Sequence, residues 1–391
     1  MPEKIRVGIL FGGQSNEHEV SLASARSVMR AMDPEKYEIV PVGITKQGAW
    51  LATGDPLATL RAGVDPHSLP RLSSMLAPDP TGEGRAEIVE FSPASSTGSD
   101  SKALSLPAAA GRPLDVIFPV LHGPYGEDGK LQGLLEMAGI PYVGSEVLGS
   151  AVSMDKDVMK RLFMSEGLPV APYVCVKRND WETDPHGIQR AAESRLGYPM
   201  FAKPANMGSS VGVSKIHGPE EFGAALDTAA RYDRRIVIEK GLDARECECA
   251  VLGNNRPEAS VVGEVVPGNE FYDYRAKYVD DNSDLIIPAD LPEHISKEIQ
   301  RLSLAAFRAV DAAGLARVDF FVERDLRKVW INEINTIPGF TRISMYPKLW
   351  EASGLSYPEL IDRLIELAFE RHEERKQNKS ALNDLQGELP V

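Results

Sequence analysis

Short apolar runs alternate with amphipathic segments along the chain, which is the pattern of an α/β protein. Residues 5–11, IRVGILF, are apolar and stop at a Gly-Gly pair, so they predict a buried strand. Ser21 is expected to cap the helix that follows, and residues 37–45, YEIVPVGIT, predict the next strand. A strand, a glycine loop, a helix and a second strand in this order predict the start of an α/β domain.

The rest of the chain predicts further strands and helices. Residues 198–216 predict two strands joined by a loop of glycine and serine, and residues 316–335 predict a hairpin whose turn lies near Asp325. A last amphipathic helix is followed after residue 371 by a polar tail, which is expected to fray. Residues 92–113 are rich in Ser, Ala and Pro and predict a mobile surface loop.

Length and composition restrict the class of protein. A chain of 391 residues is expected to form two or three domains, since single cores stop growing at about 250–300 residues. The formal net charge of −14 argues against nucleic acid or an anionic membrane as a partner. No stretch has the ~20 apolar residues of a membrane span, the N-terminus runs directly into a strand, and three cysteines make no disulfide framework. These features predict a cytoplasmic protein without a membrane partner, whose cysteines are structural.

Four polar residues of the predicted hairpin are expected to meet on one face. Side chains alternate along a strand, so Arg317 and Asp319 share a face, as do Glu333 and Asn335. Two carboxylates and an amide oxygen on a rigid sheet are ligands of the kind that Mg²⁺ prefers. The alternative is a solvated sheet face with incidental charges, because exposed antiparallel faces are normally polar.

The glycine-serine loop predicts a site for phosphate groups. In KPANMGSSVGVSK, glycines let backbone N–H groups approach a phosphate and Lys203 supplies a positive charge. The loop is neither a Walker loop nor a dinucleotide fingerprint, because a strand follows it. A flexible turn is the alternative. In EKGLDARECE, the backbone at Glu239 and Lys240 offers an edge for adenine, and Glu246 offers a carboxylate for ribose hydroxyls.

Two loops of the first domain lie where open α/β sheets bind ligands, at the carboxyl ends of strands. In NEHEVS, Glu19 has the charge to hold a substrate ammonium group, and in HGPYGEDGK, His122 is placed to orient it. Each of these residues taken singly is more often a solvated loop residue.

Four motifs in order resemble the D-alanine–D-alanine ligases, which belong to the ATP-grasp group. They are HGPYGEDG, KPANMGSSVGVSK, FYDYRAKY and RVDFF…NEINTIPGFTRISMYP, and the resemblance extends from about residue 5 to residue 370. It implies an α/β fold with a three-domain ATP-grasp architecture, in which an N-terminal open α/β domain precedes two α+β domains that clasp ATP.

The domain boundaries follow from this resemblance. We expect an N-terminal domain over residues 1–150, with an insertion over roughly 50–111. We expect a central domain over 151–239, a C-terminal catalytic domain over 240–371 and a polar tail over 372–391. The insertion and the tail match no motif.

The resemblance also implies roles for site residues. Those implied for ATP are Lys156, Lys203, Ser209, Ser210, Glu239, Lys240, Glu246 and Lys277. Those implied for two Mg²⁺ (or Mn²⁺) ions are Asp319, Glu333 and Asn335, with Glu333 bridging the ions. Those implied for binding D-alanine are Glu19, His122, Arg317, Gly339, Ser344 and Met345. Those implied for catalysis are Glu19, Ser209, Tyr278, Arg317 and Gly339.

In that scheme Glu19 binds the ammonium of the first D-alanine and forms hydrogen bonds with Ser209 and Tyr278. Arg317 and the Gly339 amide stabilise a tetrahedral intermediate, and Ser344 holds the carboxylate of the second D-alanine. The polar segment 268–284 is a candidate lid that excludes water.

The implied function is ATP-dependent joining of two D-alanines through a D-alanyl phosphate, releasing ADP and phosphate, for peptidoglycan precursor synthesis. The resemblance also implies a homodimer, and Tyr278 favours a dipeptide over an ester product. Two alternatives remain: another ATP-grasp ligase, including one that forms a depsipeptide, and a non-catalytic ATP-binding sensor. Glu19, Tyr278 and Ser344 would distinguish the first alternative, and the intact group at 317, 319, 333 and 335 argues against the second.

Overall fold

The structure, a computed structural model, describes residues 3–51, 55–62, 113–266 and 284–378, which form three sheets with helices packed on them. Most of the low-complexity segment, most of the candidate lid, Lys277 and Tyr278 lie outside the described residues. No helix within the described ranges is long and apolar enough to cross a membrane.

The N-terminal sheet contains four described strands in the order β3-β2-β1-β4. They are β1 (Ile5–Gly12), β2 (Tyr37–Ile44), β3 (Trp50–Leu51) and β4 (Val116–Pro119). Strand β1 pairs in parallel with β2 and with β4, as the α/β prediction requires. The helices of this region are α1 (His18–Ala31), α2 (Pro56–Ala62), α3 (Lys130–Met137) and α4 (Val147–Met154).

Helix α1 begins earlier than the sequence predicted. Its first residue is His18, so Ser21 lies inside the helix and the prediction that Ser21 caps it is wrong. The Ser21 hydroxyl instead accepts a hydrogen bond from the Gly12 N–H at 2.8 Å and donates one to the Val120 carbonyl at 2.5 Å. Ser21 therefore joins the carboxyl ends of β1 and β4, the edge where a ligand is expected.

The central sheet is antiparallel, with the order β5-β8-β6-β7. Helix α5 (Lys156–Ser165) precedes it, and its strands are β5 (Tyr173–Lys177), β6 (Met200–Pro204), β7 (Ser214–Ile216) and β8 (Arg235–Lys240). Its helices are α6 (Arg178–Thr183), α7 (Pro185–Leu196) and α8 (Pro219–Ala230). The predicted pair of strands joined by a glycine-serine loop is confirmed as β6 and β7.

The C-terminal sheet has the order β11-β10-β9-β12-β13. Its strands are β9 (Ala244–Gly253), β10 (Glu258–Val266), β11 (Asp284–Ile286), β12 (Gly314–Glu323) and β13 (Val329–Asn335). Its helices are α9 (Glu293–Ala309), α10 (Met345–Ala352) and α11 (Tyr357–Lys376). The predicted hairpin is confirmed, because β12 pairs antiparallel with β13.

Two of the three sheets share a hydrophobic core, and the third sheet has a core of its own. The N-terminal and C-terminal sheets share one core, in which the rings of Phe118 and Phe340 meet edge to face with centroids 5.8 Å apart. The central sheet has a separate core that contains Trp181 and Phe222. The strands that bear the predicted metal ligands pack mainly in a further core, where Phe320 and Ile331 lie against α5 and α9.

The sequence predicted that the chain frays after residue 371. Helix α11 instead continues to Lys376. Arg371 forms an ion pair with Glu146 at 3.2 Å, and Arg375 forms one with Glu136 at 3.2 Å. These charges hold the last turns of α11 against α3 and the start of α4.

Candidate active site

A cavity of about 660 Å³ lies between the central and C-terminal sheets. Strands β6 and β8 contribute Lys203, Glu239 and Lys240, and the facing sheet contributes Glu246, Asp319 and Glu333. The glycine-serine loop closes one side with Ser209 and Ser210. Most residues predicted to contact the nucleotide therefore line one cleft.

The four residues singled out on the hairpin come together as predicted. Arg317 lies opposite Asn335 and Asp319 lies opposite Glu333 across the β12–β13 ladder. The Arg317 guanidinium donates two hydrogen bonds to Asp319, each 2.7 Å long, and the Asn335 amide donates one to Asp319 at 3.1 Å. Arg317 also forms an ion pair with Glu248 on β9 at 2.9 Å. Arg317 is thus held between two carboxylates from neighbouring strands.

A bulge in β13 directs Glu333 toward the cavity. Asp319 pairs with Glu333 but Phe320 pairs with Ile331, so Asn332 is an extra residue. Ile331 is fully buried in the core, and strict alternation would send Glu333 to the same face. Because of the extra residue, the Glu333 side chain points away from the core, and Asn332 and Glu333 both line the cavity.

Lys156 is the first residue of α5 and points at the same polar group. Its ammonium lies 3.1 Å from Glu333 and donates a hydrogen bond to the Met207 carbonyl at 3.0 Å. Asp155 caps this helix by accepting from the N–H groups of Asp157 and Val158, and it is also paired with Arg235 on β8. Lys156 thereby contacts both the glycine-serine loop and a predicted metal ligand.

Lys203 is engaged with a buried carboxylate beneath the cavity. Glu239 is paired with Lys203, and its other oxygen lies 2.5 Å from the ammonium of Lys160, a buried residue of α5. Lys160 also donates to the Asn332 carbonyl at 3.1 Å. Burial raises the pKa of Glu239, but the two ammonium groups outweigh burial and lower this pKa to about 2. Burial lowers the pKa of the Lys160 ammonium, whereas for Lys203 the charge of Glu239 outweighs burial and raises the pKa. An ionised Glu239 is therefore paired with a charged Lys203.

Ser209 and Ser210 form the tip of the glycine-serine loop in left-handed backbone conformations, with φ of 49° and 58°. The hydroxyl of Ser209 donates to Glu17, a residue of the N-terminal β1–α1 loop. The predicted hydrogen bond between Ser209 and Glu19 is therefore wrong.

Glu19 lies on the outer face of α1, where its side chain is 67% exposed and forms an ion pair with Lys46 at 2.8 Å. Glu17, two residues earlier, is buried at the carboxyl end of β1. Gly123 has a φ of 75°, and a Cβ atom there would lie 2.5 Å from the Glu17 carboxylate, so a larger residue would be strained and would displace Glu17. Glu17 therefore occupies the place that the sequence interpretation gave to Glu19.

His122 is buried and both of its ring nitrogens are engaged. Nδ1 lies 2.8 Å from the Ile337 carbonyl and Nε2 lies 2.8 Å from the Ser24 hydroxyl. Burial lowers the pKa of His122, which favours a neutral ring. His122 is thus near the polar group, as predicted, but it contacts protein atoms.

Glu127, in the same loop, was missed by the sequence interpretation. It accepts hydrogen bonds from the N–H groups of Gly123 at 2.8 Å and Ile337 at 3.2 Å. Burial, and next the charge of Glu17, raise the pKa of Glu127 to about 8.

The three predicted residues after β13 have different surroundings. Gly339 is in the loop between β13 and α10, close to Ser344. Ser344 precedes α10, and its hydroxyl accepts from the Thr341 N–H at 3.0 Å. The Met345 side chain is buried in the core against Gly263, so it does not face the polar group.

Four site residues escaped sequence reasoning: Glu17, Glu127, Lys160 and Glu248. Glu17 and Glu127 lie inside motifs that the sequence interpretation used, and helical periodicity would have separated Glu17 from Glu19. Position 19 shares the outer face of α1 with the exposed residues Ala23 and Arg30. Lys160 and Glu248 gave no separate signal, because their partners lie on distant strands.

Within the described ranges, His, Cys, Asp and Glu side chains do not gather in groups of three or more that could hold a metal. The predicted site supplies two carboxylates and an amide oxygen, which suits an ion that keeps other oxygen ligands. The cysteines are free, and Cys247 and Cys249 are buried, as expected of structural residues.

Two sheets that enclose a cleft, with lysines on one side and carboxylates and an arginine on the other, define an ATP-grasp ligase. Comparison with known proteins agrees with this class. The family model described as D-ala D-ala ligase N-terminus matches residues 6–145, and the model described as D-ala D-ala ligase C-terminus matches residues 162–366. The chain belongs to the D-alanine–D-alanine ligase family.

Relatives and solved structures extend the comparison over nearly the whole chain. A D-alanine–D-alanine ligase of Natranaerobius thermophilus is 46% identical over 98% of this chain and 100% of its own length. One from a Thermoanaerobacter species is 50% identical over 95% of this chain and 99% of its own. The structure of the D-alanine–D-alanine ligase from Coxiella burnetii superposes with a TM-score of 0.77 at 37% identity, covering 96% of this chain and 97% of the other. The VanG D-Ala:D-Ser ligase from Enterococcus faecalis superposes with a TM-score of 0.75 at 33% identity, covering 94% of this chain and 100% of the other.

Proposed function

We propose that the protein joins two D-alanines to D-alanyl-D-alanine with the use of ATP, releasing ADP and phosphate, for the synthesis of peptidoglycan precursors. The observation that carries this proposal is the convergence of Arg317, Asp319, Glu333 and Asn335 beside Lys156 in the cleft. A carboxylate is a poor electrophile, so transfer of the γ-phosphoryl group to the first D-alanine makes a D-alanyl phosphate with a good leaving group. The amine of the second D-alanine then attacks the carbonyl carbon and phosphate leaves.

ATP is assigned to the cleft between the central and C-terminal sheets. We assign Lys156 and Lys203 to the phosphates, because both side chains line the cleft and Lys203 is held there by Glu239. We assign the adenine to the strand edge near Lys240 and the ribose to Glu246. The Glu239 side chain is paired with Lys203, so only the Glu239 backbone is available to the adenine.

Asp319, Glu333 and Asn335 have the ligand chemistry for Mg²⁺ or Mn²⁺, and we propose that they hold two ions with Glu333 between them. Bound ions would neutralise the charge on the transferring phosphoryl group. In this structure Lys156 is paired with Glu333 and Arg317 with Asp319, so bound ions would share these carboxylates with two cationic side chains.

For the amino acids, we assign the ammonium of the first D-alanine to Glu17. Ser209, hydrogen-bonded to Glu17, brings the glycine-serine loop to this site. Arg317 and the Gly339 amide are assigned to the developing oxyanion, and Ser344 to the carboxylate of the second D-alanine. The roles of Tyr278 and Lys277 and the homodimer stay predictions.

One assay tests the function directly. The protein is incubated with ATP, Mg²⁺ and single D-amino or D-hydroxy acids, alone and with D-alanine, and the products are identified by mass. D-alanyl-D-alanine with one phosphate per dipeptide is the expected result. A preference for D-serine in the second position would move the assignment toward the D-Ala:D-Ser ligases, and phosphate release without any ligated product would refute it.

The metal assignment predicts the behaviour of Glu333→Gln. The variant should lose at least about a hundredfold in kcat, because one neutral amide replaces the carboxylate shared by both ions. Titration of Mn²⁺ by electron paramagnetic resonance in the presence of ADP should show weaker binding than in the unchanged protein. Unchanged Mn²⁺ binding and near-normal turnover would show that the metals bind elsewhere.

A further inference from the structure

The loop of residues 336–342, which follows β13 and carries Gly339, is fastened by the N-terminal region of the chain. The Ile337 N–H donates to Glu127 at 3.2 Å and the Ile337 carbonyl accepts from His122 Nδ1 at 2.8 Å. Both polar groups of one peptide residue are thus held by side chains of the 122–127 loop. Those residues are over two hundred positions away in the chain.

A hydrogen-bonded circuit extends from Ile337 to the other side of Gly339. A carbonyl oxygen only accepts, so Nδ1 of His122 carries a proton, and a neutral ring then accepts at Nε2 from the Ser24 hydroxyl at 2.8 Å. The Ser24 hydroxyl oxygen in turn accepts from the Phe340 N–H at 3.3 Å. His122 and Ser24 therefore bridge Ile337 and Phe340, the residues that enclose Pro338 and Gly339.

Glu127 completes the attachment. One of its carboxyl oxygens accepts from Gly123 N–H at 2.8 Å, next to His122, and the other accepts from Ile337. The side chain thus fixes the distance between the 122–127 loop and the 336–342 loop. Neighbouring Asp128 makes the same kind of bond, but to groups close in the chain: the N–H groups of Tyr125 and Lys130 and the Lys130 ammonium.

We propose that Glu127, together with His122 and Ser24, is a positioning residue that holds the Gly339 amide in the direction needed to meet the developing oxyanion. This inference rests on the proposed function for the role of Gly339. An N–H donor stabilises a transition state only if it is already oriented before the charge develops. Small misplacements of catalytic groups lower rates by large factors.

The inference differs from a role of His122 in binding substrate. Both ring nitrogens of His122 contact protein atoms, and both carboxyl oxygens of the half-buried Glu127 accept backbone N–H groups. Their effect is therefore expected on the chemical step and on binding of tetrahedral analogues, with little effect on the affinity for ATP.

Glu127→Gln is the principal test, with Asp128→Asn as its matched control. Both oxygens of a carboxyl group can accept a hydrogen bond in either protonation state, whereas an amide nitrogen cannot. The variant therefore loses one backbone bond at unchanged size. We expect kcat to fall about tenfold or more, with KM for ATP within about twofold of its original value, while Asp128→Asn changes neither by more than about twofold.

Two further measurements separate positioning from general damage. A dipeptide analogue with a tetrahedral phosphinate should bind Glu127→Gln less tightly by the same factor as the loss in kcat, while ADP affinity stays constant. Amide hydrogen exchange should become faster in peptides that cover residues 336–342 and remain unchanged in Asp128→Asn. Ser24→Ala, a smaller change in the same circuit, should behave like Glu127→Gln and replaces it if that variant does not fold.

The outcomes are distinguishable from a failure of the proposed function. Unchanged exchange in residues 336–342, or equal losses of ADP and phosphinate affinity, would overturn the positioning role even if the protein makes D-alanyl-D-alanine. If the unchanged protein makes no dipeptide, the proposed function fails. Faster exchange in Glu127→Gln would then uphold the attachment of the loop and reject its catalytic purpose.

Discussion

The Glu17 carboxylate lies between two loops that belong to different sheets. It receives the Ser209 hydroxyl and lies beside Gly123, whereas Glu19 is on solvent-exposed helix surface two residues further on. The difference arises because α1 begins at His18, so that Glu17 is still part of the loop at the end of β1.

Glu17→Gln should raise KM for D-alanine roughly tenfold to a hundredfold. A hydrogen bond to a charged group contributes about 1.5–3 kcal/mol, and 1.4 kcal/mol corresponds to a factor of ten. Glu19→Gln is the control and should leave KM within about twofold, since exposed ion pairs contribute little. Steady-state kinetics with D-alanine varied would check this, and the reverse ranking would restore Glu19 as the ligand.

Glu239 predicts a dependence of stability on acid. Its pKa in the folded protein is about 2, below the ordinary value of 4.5, so its contribution is present above pH 4.5 and is lost as the pH falls toward 2. The loss amounts to about 3 kcal/mol when 1.36 kcal/mol is taken for each pKa unit. Urea unfolding at several pH values should show the difference in unfolding free energy between the unchanged protein and Glu239→Gln shrinking from pH 5 to pH 3. A constant difference would contradict an ionised Glu239.

At the scale of single elements, the ends and irregularities of helices and strands place the charges. The bulge at Asn332 directs Glu333 into the cavity, and the Asp155 cap fixes the start of α5, where Lys156 lies. The bulge leaves β13 intact and the cap leaves α5 intact. Each changes only the direction of a side chain. The cap also binds Arg235, which ties α5 to the central sheet.

Asp155→Ala should lower the unfolding free energy by about 1 kcal/mol or more and also raise KM for ATP severalfold, because it loosens the turn that carries Lys156. Asp184→Ala is the matched control. Asp184 caps α7 through the Gly187 N–H at 2.8 Å, away from the cavity, and its loss should affect stability alone. Chemical unfolding and nucleotide kinetics of both variants check the prediction, and an unchanged KM in Asp155→Ala would contradict it.

For the whole molecule, the division of cores indicates which parts move together. The N-terminal and C-terminal sheets share a core, and α5 adds Met159 and Phe163 beneath the C-terminal sheet. The central sheet packs mainly on its own helices. Closure over a nucleotide is therefore expected to move the central sheet against a single body formed by the other two.

Native-state hydrogen exchange should reveal the same division. Amides of β5 to β8 are expected to share one opening free energy, and those of β1, β4, β9 and β12 another, because cooperative units follow shared cores. An ATP analogue with Mg²⁺ should slow exchange in β6, β7 and β9 more than in β1. The division would be contradicted if the amides of β1 and β6 shared one opening free energy and those of β12 had another.

Much of the fold could be predicted from periodicity, and much of the site could not. The β6–β7 pair and the β12–β13 hairpin follow from apolar runs broken by turn residues. Alternation pairs 317 with 319 and 333 with 335, but the bulge at Asn332 decides that both pairs share one face. The choice of Glu17 over Glu19, and the attachment of Ile337 to Glu127 and His122, depend on contacts between residues far apart in the chain. Local patterns carry no information about such contacts.

The sequence by itself determined the elements, the hairpin and the family, because these depend on local spacing and on motifs that lie within single segments. Only the tertiary structure decided which carboxylate faces the glycine-serine loop, how Lys160 and Lys203 share Glu239, and where the Gly339 loop is fastened. The physical reason is that burial and pairing of a charge are set by the groups that folding brings against it from other elements. The sequence shows which residues are charged but not which groups lie beside them in the fold.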